Sequence, residues 1–141
     1  MQLKVRKIHP ASIIPRYAQT GDAGLDLYSI QYDIIKPNER LLIPIGIAIE
    51  LPPNTEAQIR PRSGLALKHG ISVLNSPGTI DSGYRGEIGV ILINHGIEDF
   101  VITPGMKIAQ MVIAPYFSMK VVEAVLGDSE RCGGGFGSTG Y

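Results

Sequence analysis

Glycine and proline punctuate this 141-residue chain so densely that long helices have no room: 17 glycines and 10 prolines separate short runs rich in isoleucine and valine. These two residues are the strongest local breakers of regular structure. The apolar runs between them cover residues 3–8, 40–50, 57–60, 71–74, 87–94, 100–102, 108–114 and 120–125. β-Branched residues suit a pleated, half-buried surface. Many short strands at this spacing predict an antiparallel sandwich or barrel. Pro44, inside the second run, predicts an edge strand or bulge, because proline cannot donate to a ladder. One segment departs from the pattern. Ser63-Gly64-Leu65-Ala66-Leu67-Lys68-His69-Gly70 reads as a short helix, with Ser63 as N-cap and Gly70 just past the last turn.

Composition narrows the partners. With 13 basic and 13 acidic residues the formal charge is zero, which argues against a broad nucleic-acid-binding or membrane-binding face. A small anion held by a few local cations remains compatible. The single cysteine, Cys132, rules out an internal disulfide and fits a reducing compartment. Residues 1–7 lack the apolar core of a signal peptide, and no apolar stretch approaches the ~20 residues of a membrane helix. The expectation is a soluble cytoplasmic protein.

Three places carry candidate chemistry. Arg62-Ser63-Gly64 puts a cation, a hydroxyl and bare amides at a helix start, which is either a small anion site or an ordinary cap beside a solvated arginine. Asp81 follows a tight turn and a short apolar strand, a frame from which a general base can be held in register, and Tyr84 sets a phenol ring near it. Asp26, between two leucines on a strand, faces either plain solvent or a hydrated cation. The segment Arg131-Cys132-Gly133-Gly134-Gly135-Phe136-Gly137-Ser138-Thr139-Gly140-Tyr141 holds five glycines, too little side chain to pack. It reads as a solvated terminus or as a clasp, its cation and hydroxyls suited to phosphate and its ring to a flat base. His9, His69, His95 and Cys132 have no metal-ligand spacing, and no Walker or dinucleotide fingerprint is present.

Five segments in order closely resemble the motifs of the trimeric, all-β dUTP pyrophosphatases (dUTPases). They are Ala23-Gly24-Leu25-Asp26-Leu27, Pro61-Arg62-Ser63-Gly64-Leu65-Ala66, Asn75 through Asn94 around Gly78-Thr79-Ile80-Asp81 and Tyr84-Arg85-Gly86-Glu87, Gly105-Met106-Lys107-Ile108-Ala109-Gln110, and Arg131 to Gly140. Any one alone is weak; all five in order are specific, and they span nearly the whole chain. The resemblance implies an all-β, jelly-roll-like antiparallel barrel or sandwich with one short helix, the β-clip of the dUTPases. It implies a β domain over residues 1–127 and a flexible arm over 128–141 that closes a neighbouring subunit's site in a homotrimer. The implied reaction is hydrolysis of dUTP to dUMP and pyrophosphate with Mg²⁺, which limits uracil in DNA and supplies dUMP for thymidylate synthesis.

The match also implies roles. Asp81 would activate the water that attacks the α-phosphorus. Tyr84 would pack on the deoxyribose, and Asn75, Gly78, Thr79 and Ile80 would form the uracil-reading hairpin. Asp26 would hold the hydrated Mg²⁺. Arg62, Ser63, Gly64 and Gln110 would contact phosphates. Phe136 would cover the base, while Arg131, Gly137, Ser138 and Thr139 would wrap the γ-phosphate. Two positions depart from the usual pattern: Cys132 stands where the family usually has glycine, and Gly83 where an acid is frequent. Arg85 and Glu87 are assigned to turn or subunit contacts. The sister chemistry on this scaffold, dCTP deamination, needs a glutamate on the strand after the turn, and residues 88–94 contain no acid. A dUTPase-like regulatory binding protein is the other alternative, against which stand an intact Asp81 and a complete arm.

Overall fold

The computed structural model describes residues 1–140, and its regular structure is β-strand apart from one short helix. The strands are β1 (Lys4–Lys7), β2 (Gly24–Tyr28), β3 (Asp33–Ile35), β4 (Arg40–Pro44), β5 (Ile47–Glu50) and β6 (Thr55–Arg60). After α1 (Ser63–His69) come β7 (Ile71–Val73), β8 (Gly78–Ile80), β9 (Gly89–Asn94), β10 (Phe100–Ile102) and β11 (Lys107–Pro115). They form a four-stranded sheet in the order β2-β11-β6-β8, a three-stranded sheet β4-β9-β7, and two ribbons, β1-β5 and β10-β3. Every pairing is antiparallel. The jelly-roll-like, all-β expectation with one short helix holds.

The alternation of side chains explains why these segments pair. Along β6, Thr55, Ala57 and Ile59 are buried, whereas Glu56 and Gln58 are half-buried and Arg60 is exposed. One face therefore joins a core built from Leu27, Ile43, Ile71, Leu92, Ile102, Ile108 and Met111, all essentially inaccessible. Each such side chain contributes roughly 1.5–3 kcal/mol by leaving water.

Residues 40–50 divide into two strands, and the reason is local. Pro44 ends β4, an edge strand that pairs only with β9, as the proline required. Gly46 then turns the chain at φ 69°, in a conformation that costs glycine little. A β-carbon there would stand 3.0 Å from the β-carbons of His9 and Ser12. Glu87 accepts from the Gly46 amide at 3.1 Å, so the corner is tied to the loop after β8, which is the turn role assigned to Glu87. Beyond the corner, β5 leaves for β1.

Two local expectations need correcting. Ser63 is not the N-cap: Arg62 occupies that position with extended backbone, its carbonyl accepts from Ala66 at 3.0 Å, and no side chain caps the helix. Gly70 does close the helix in the left-handed conformation, its amide reaching back to Ala66 and Leu65. Residues 120–125 are not a strand. They lie beyond β11 and pair with no strand among the described residues, and Val121 and Val125 are almost wholly exposed. A strand without a partner leaves its ladder groups unpaired and gains nothing from its apolar face.

Candidate active site

The first concavity lies at one end of the four-stranded sheet. It holds about 360 Å³ and is walled by Asp22, Gly24, Asp26, Arg60, Arg62, Ser63, Gly64 and Gln110. Strand register creates it. Asp26 on β2 stands opposite Gln110 on β11, which stands opposite Arg60 on β6. The chain then leaves β6 through Pro61 and enters α1, so Arg62, Ser63 and Gly64 close the same end.

Asp26 is neither solvated surface nor free. Its side chain is 12% exposed, Lys107 Nζ lies 2.6 Å from one carboxylate oxygen, and Arg62 Nε lies 3.7 Å from the other. Arg62 Nη1 also donates to the Lys107 carbonyl at 3.1 Å. Lys107 Nζ sits 6.0 Å from the Tyr28 ring centre. Sequence reasoning singled out Asp26 and Arg62 but gave Lys107 no role. The signal was available: Lys107 opens β11, the strand that carries Gln110 beside β2.

Gln110 Nε2 donates to the Pro61 carbonyl at 2.9 Å, which leaves its second N–H for another acceptor. Its carboxamide lies across Gly24, and a β-carbon at position 24 would collide with it. The hydroxyl of Ser63 makes no cap bond, and first-turn amides have no intrahelical partner. An array of cations, amides and a hydroxyl around an open, polar cavity suits an anion with several oxygens.

The second concavity is smaller, about 200 Å³, and lies along β8 and the turn that follows it. Thr79, Ile80, Asp81, Tyr84 and Gly89 line it. Asp81 begins the turn, its carbonyl accepting from Tyr84 at 3.0 Å. The Tyr84 ring lies over Gly86, where a β-carbon would collide with it, and its hydroxyl donates to the Glu87 carbonyl at 2.9 Å. Arg85 Nη1 donates to the carbonyls of Ser82 and Tyr84, the turn role expected of it. Asn75 folds back on Gly78, its amide nitrogen 3.3 Å from where a β-carbon would be. Asn75, Gly78, Thr79, Ile80, Asp81 and Tyr84 therefore form one compact unit.

The two concavities do not meet within one chain. Ile80 pairs with Ala57, three residues before the Arg60 that is level with Asp26, and β8 lies three strands from β2. With strands ~4.8 Å apart and ~3.3 Å per residue, Ile80 and Asp26 lie about 17 Å apart at their α-carbons.

The arm joins neither concavity. Its hydrogen bonds are local: Gly134 to Arg131, Ser138 to Gly135, Gly140 to Gly137, and Arg131 Nε to the Gly134 carbonyl at 2.9 Å. Phe136 is fully exposed. Thr139 and Gly137 lie in the same turns, and Tyr141 falls outside the described residues. Cys132 has φ 45°, the left-handed region favoured by glycine, so the backbone there keeps a glycine-like course despite the thiol. No group of three or more His, Cys, Asp or Glu that could cage a metal occurs among the described residues.

Comparison with known proteins bears directly on this geometry. The family model described as dUTPase matches residues 11–140. The deoxyuridine 5'-triphosphate nucleotidohydrolase of Gloeothece citriformis is 64% identical, with 99% of this chain and 97% of that protein covered. That of Clostridium acetobutylicum is 62% identical over the same shares. Among solved structures, the dUTPase of Staphylococcus bacteriophage 80alpha with dUpNHpp superposes with a TM-score of 0.90 at 26% identity, covering 99% of each chain. A mutant dUTPase of phage phi11 of S. aureus, in which a structural Mg(II) ion is coordinated, superposes with a TM-score of 0.85 at 23% identity, covering 92% of this chain and all of that one.

Proposed function

The chain belongs to the dUTPase family, and from that premise we propose that it hydrolyses dUTP to dUMP and pyrophosphate in sites shared between copies of itself. The observation that carries the shared site is the separation of the two concavities. One suits a polyphosphate, the other carries the hairpin carboxylate beside a ring, and a single chain holds them apart. A second copy, with its hairpin set against the first copy's cavity, brings them together. The exposed apolar side chains of Phe117, Val121, Val125 and Leu126 support such an assembly, since runs of this kind mark surfaces that a partner covers. A homotrimer with three equivalent sites is the arrangement proposed.

In this reading Asp81 takes a proton from a water as the water's oxygen attacks the α-phosphorus. The α–β anhydride bond breaks and its electron pair leaves with pyrophosphate. Such a displacement needs alignment and charge neutralisation more than covalent help. Arg62, the Ser63 hydroxyl, the Gly64 amide and Gln110 hold the phosphates. Asn75, Gly78, Thr79 and Ile80 frame the uracil, and Tyr84 lies against the deoxyribose. The arm, residues 128–141, closes over the neighbouring site, with Phe136 on the base and Arg131, Gly137, Ser138 and Thr139 at the γ-phosphate. Closure excludes water and strengthens every contact inside.

The donor set fits Mg²⁺ of one kind. Asp26 is the one buried carboxylate among the described residues of the cavity, the other, Asp22, being exposed and accepting from the Gln19 amide. Asp26 is already shared with Lys107 and Arg62, which suits a hydrated cation held chiefly by the substrate's phosphates and touched by Asp26 through water. When bound, the cation would offset phosphate charge. Pyrophosphate release against dUTP, UTP, dTTP and dCTP, with and without Mg²⁺, tests the proposal. Turnover of dUTP alone is expected; ammonia released from dCTP, or equal turnover of all four, overturns it.

A further inference from the structure

We propose that Arg60, which lies outside the five motifs, is a further phosphate-binding residue of this site. The inference rests on the reading that the cavity between Asp26 and Gly64 takes a polyphosphate.

Strand register supplies the first argument. Asp26, Gln110 and Arg60 stand in one row across β2, β11 and β6. Directly opposed residues share a face of the sheet, and all three line the same cavity. Arg60 is the member of that row furthest from Asp26, two strands away across the cavity.

Charge supplies the second. Two other cations at this end are partly spoken for: Lys107 by Asp26 at 2.6 Å, Arg62 by Asp26 at 3.7 Å and by the Lys107 carbonyl. Arg60 forms no ion pair among the described residues. Its Nε and Nη2 both donate to Gln58 Oε1, at 3.1 and 2.5 Å. Gln58 is held in turn by Glu56, to which its Nε2 donates at 2.7 Å. A neutral amide aims the guanidinium without cancelling its charge, and the fork keeps its remaining N–H donors for a partner. An exposed arginine that is oriented, uncompensated and on the wall of an anion cavity has the chemistry of a phosphate clamp.

Arg60→Gln, Arg60→Lys and Gln58→Ala test this. The KM for dUTP should rise about tenfold in Arg60→Gln, the size of a charge-assisted contact at a partly open site, with kcat within about twofold. Raising the salt should shrink that difference through screening. Arg60→Lys should recover only part of the loss, because the fork is gone, and Gln58→Ala should give a smaller rise in the same direction. Inhibition by deoxyuridine, which carries no phosphate, should be unchanged throughout. Calorimetric titration with inorganic tripolyphosphate reads the contact without turnover and should weaken by a similar factor in Arg60→Gln. An unmoved KM and tripolyphosphate affinity, or equal weakening of deoxyuridine and dUTP, overturns the inference. If the unmodified chain fails to turn over dUTP, the proposed function falls, while the tripolyphosphate titration still decides the role of Arg60.

Discussion

The cavity around Asp26 and the arm that follows residue 127 are both assigned to one reaction, yet they are built in opposite ways. The strand-borne walls Asp26 and Gln110 are fixed from behind. Asp26 sits between Leu25 and Leu27, both buried, and Gln110 sits beside the inaccessible Met111. Their facing is dictated by ladder register, so the chemistry inherits the stability of the core. The arm has no core behind it and holds itself only by turns of three or four residues. Catalytic groups that must be aligned belong on packed strands, whereas groups that must admit substrate and then cover it belong on a segment whose unbound state costs little to leave.

That contrast can be broken by three changes. Deleting residues 131–141 should remove most of the dUTP turnover while leaving the melting temperature almost where it was, because residues 131–140 bury no large side chain. A melting temperature that falls with the activity would make the arm part of the fold. Leu27→Ala should do the reverse. Its side chain is wholly inaccessible, and such truncations cost about 2–5 kcal/mol, read as a lower denaturation midpoint; unchanged stability would mean the sheet does not support the cavity as described. The smallest effect is expected at the rim. Glu50 is half-exposed, and its hydrogen bond and charge pairing with Lys4, opposed slightly by desolvation and aided by Arg85, hold its carboxyl below the ordinary value. A group depressed in the folded state adds stability above its unfolded value and loses it as pH falls through the folded one. Glu50→Gln should therefore be slightly less stable than the parent near neutrality and equal to it in acid. A difference that persists in acid would assign the effect to packing of β1 on β5.

The parts read correctly from sequence are those decided by neighbours along the chain. The strand runs, the edge character of β4, the helix at Ser63–His69 and its Gly70 close all follow from local residue chemistry. The hairpin from Asn75 to Tyr84 was legible for the same reason, since its members lie within ten residues. What escaped depends on distant pairing. The ion pair of Lys107 with Asp26 spans β11 and β2, and Arg60 enters the cavity only through its place opposite Gln110. Residues 120–125 carry a strand's composition, but composition does not provide a partner, and none of the described strands pairs with them. The cap was misread because Arg62 takes the extended conformation that precedes the helix, and Ser63 becomes its first residue.

The claim that the site is completed between copies is the one most open to direct attack. Asp81→Ala alone should lose about 10²–10⁴ in turnover, and Arg62→Ala alone should be similarly poor. The two inactive chains, unfolded together and refolded as a mixture, should regain dUTP hydrolysis well above the sum of the separate preparations, because some sites then draw Asp81 from one copy and Arg62 from another. Activity no greater than that sum would place both residues in a site formed by a single chain and contradict the account.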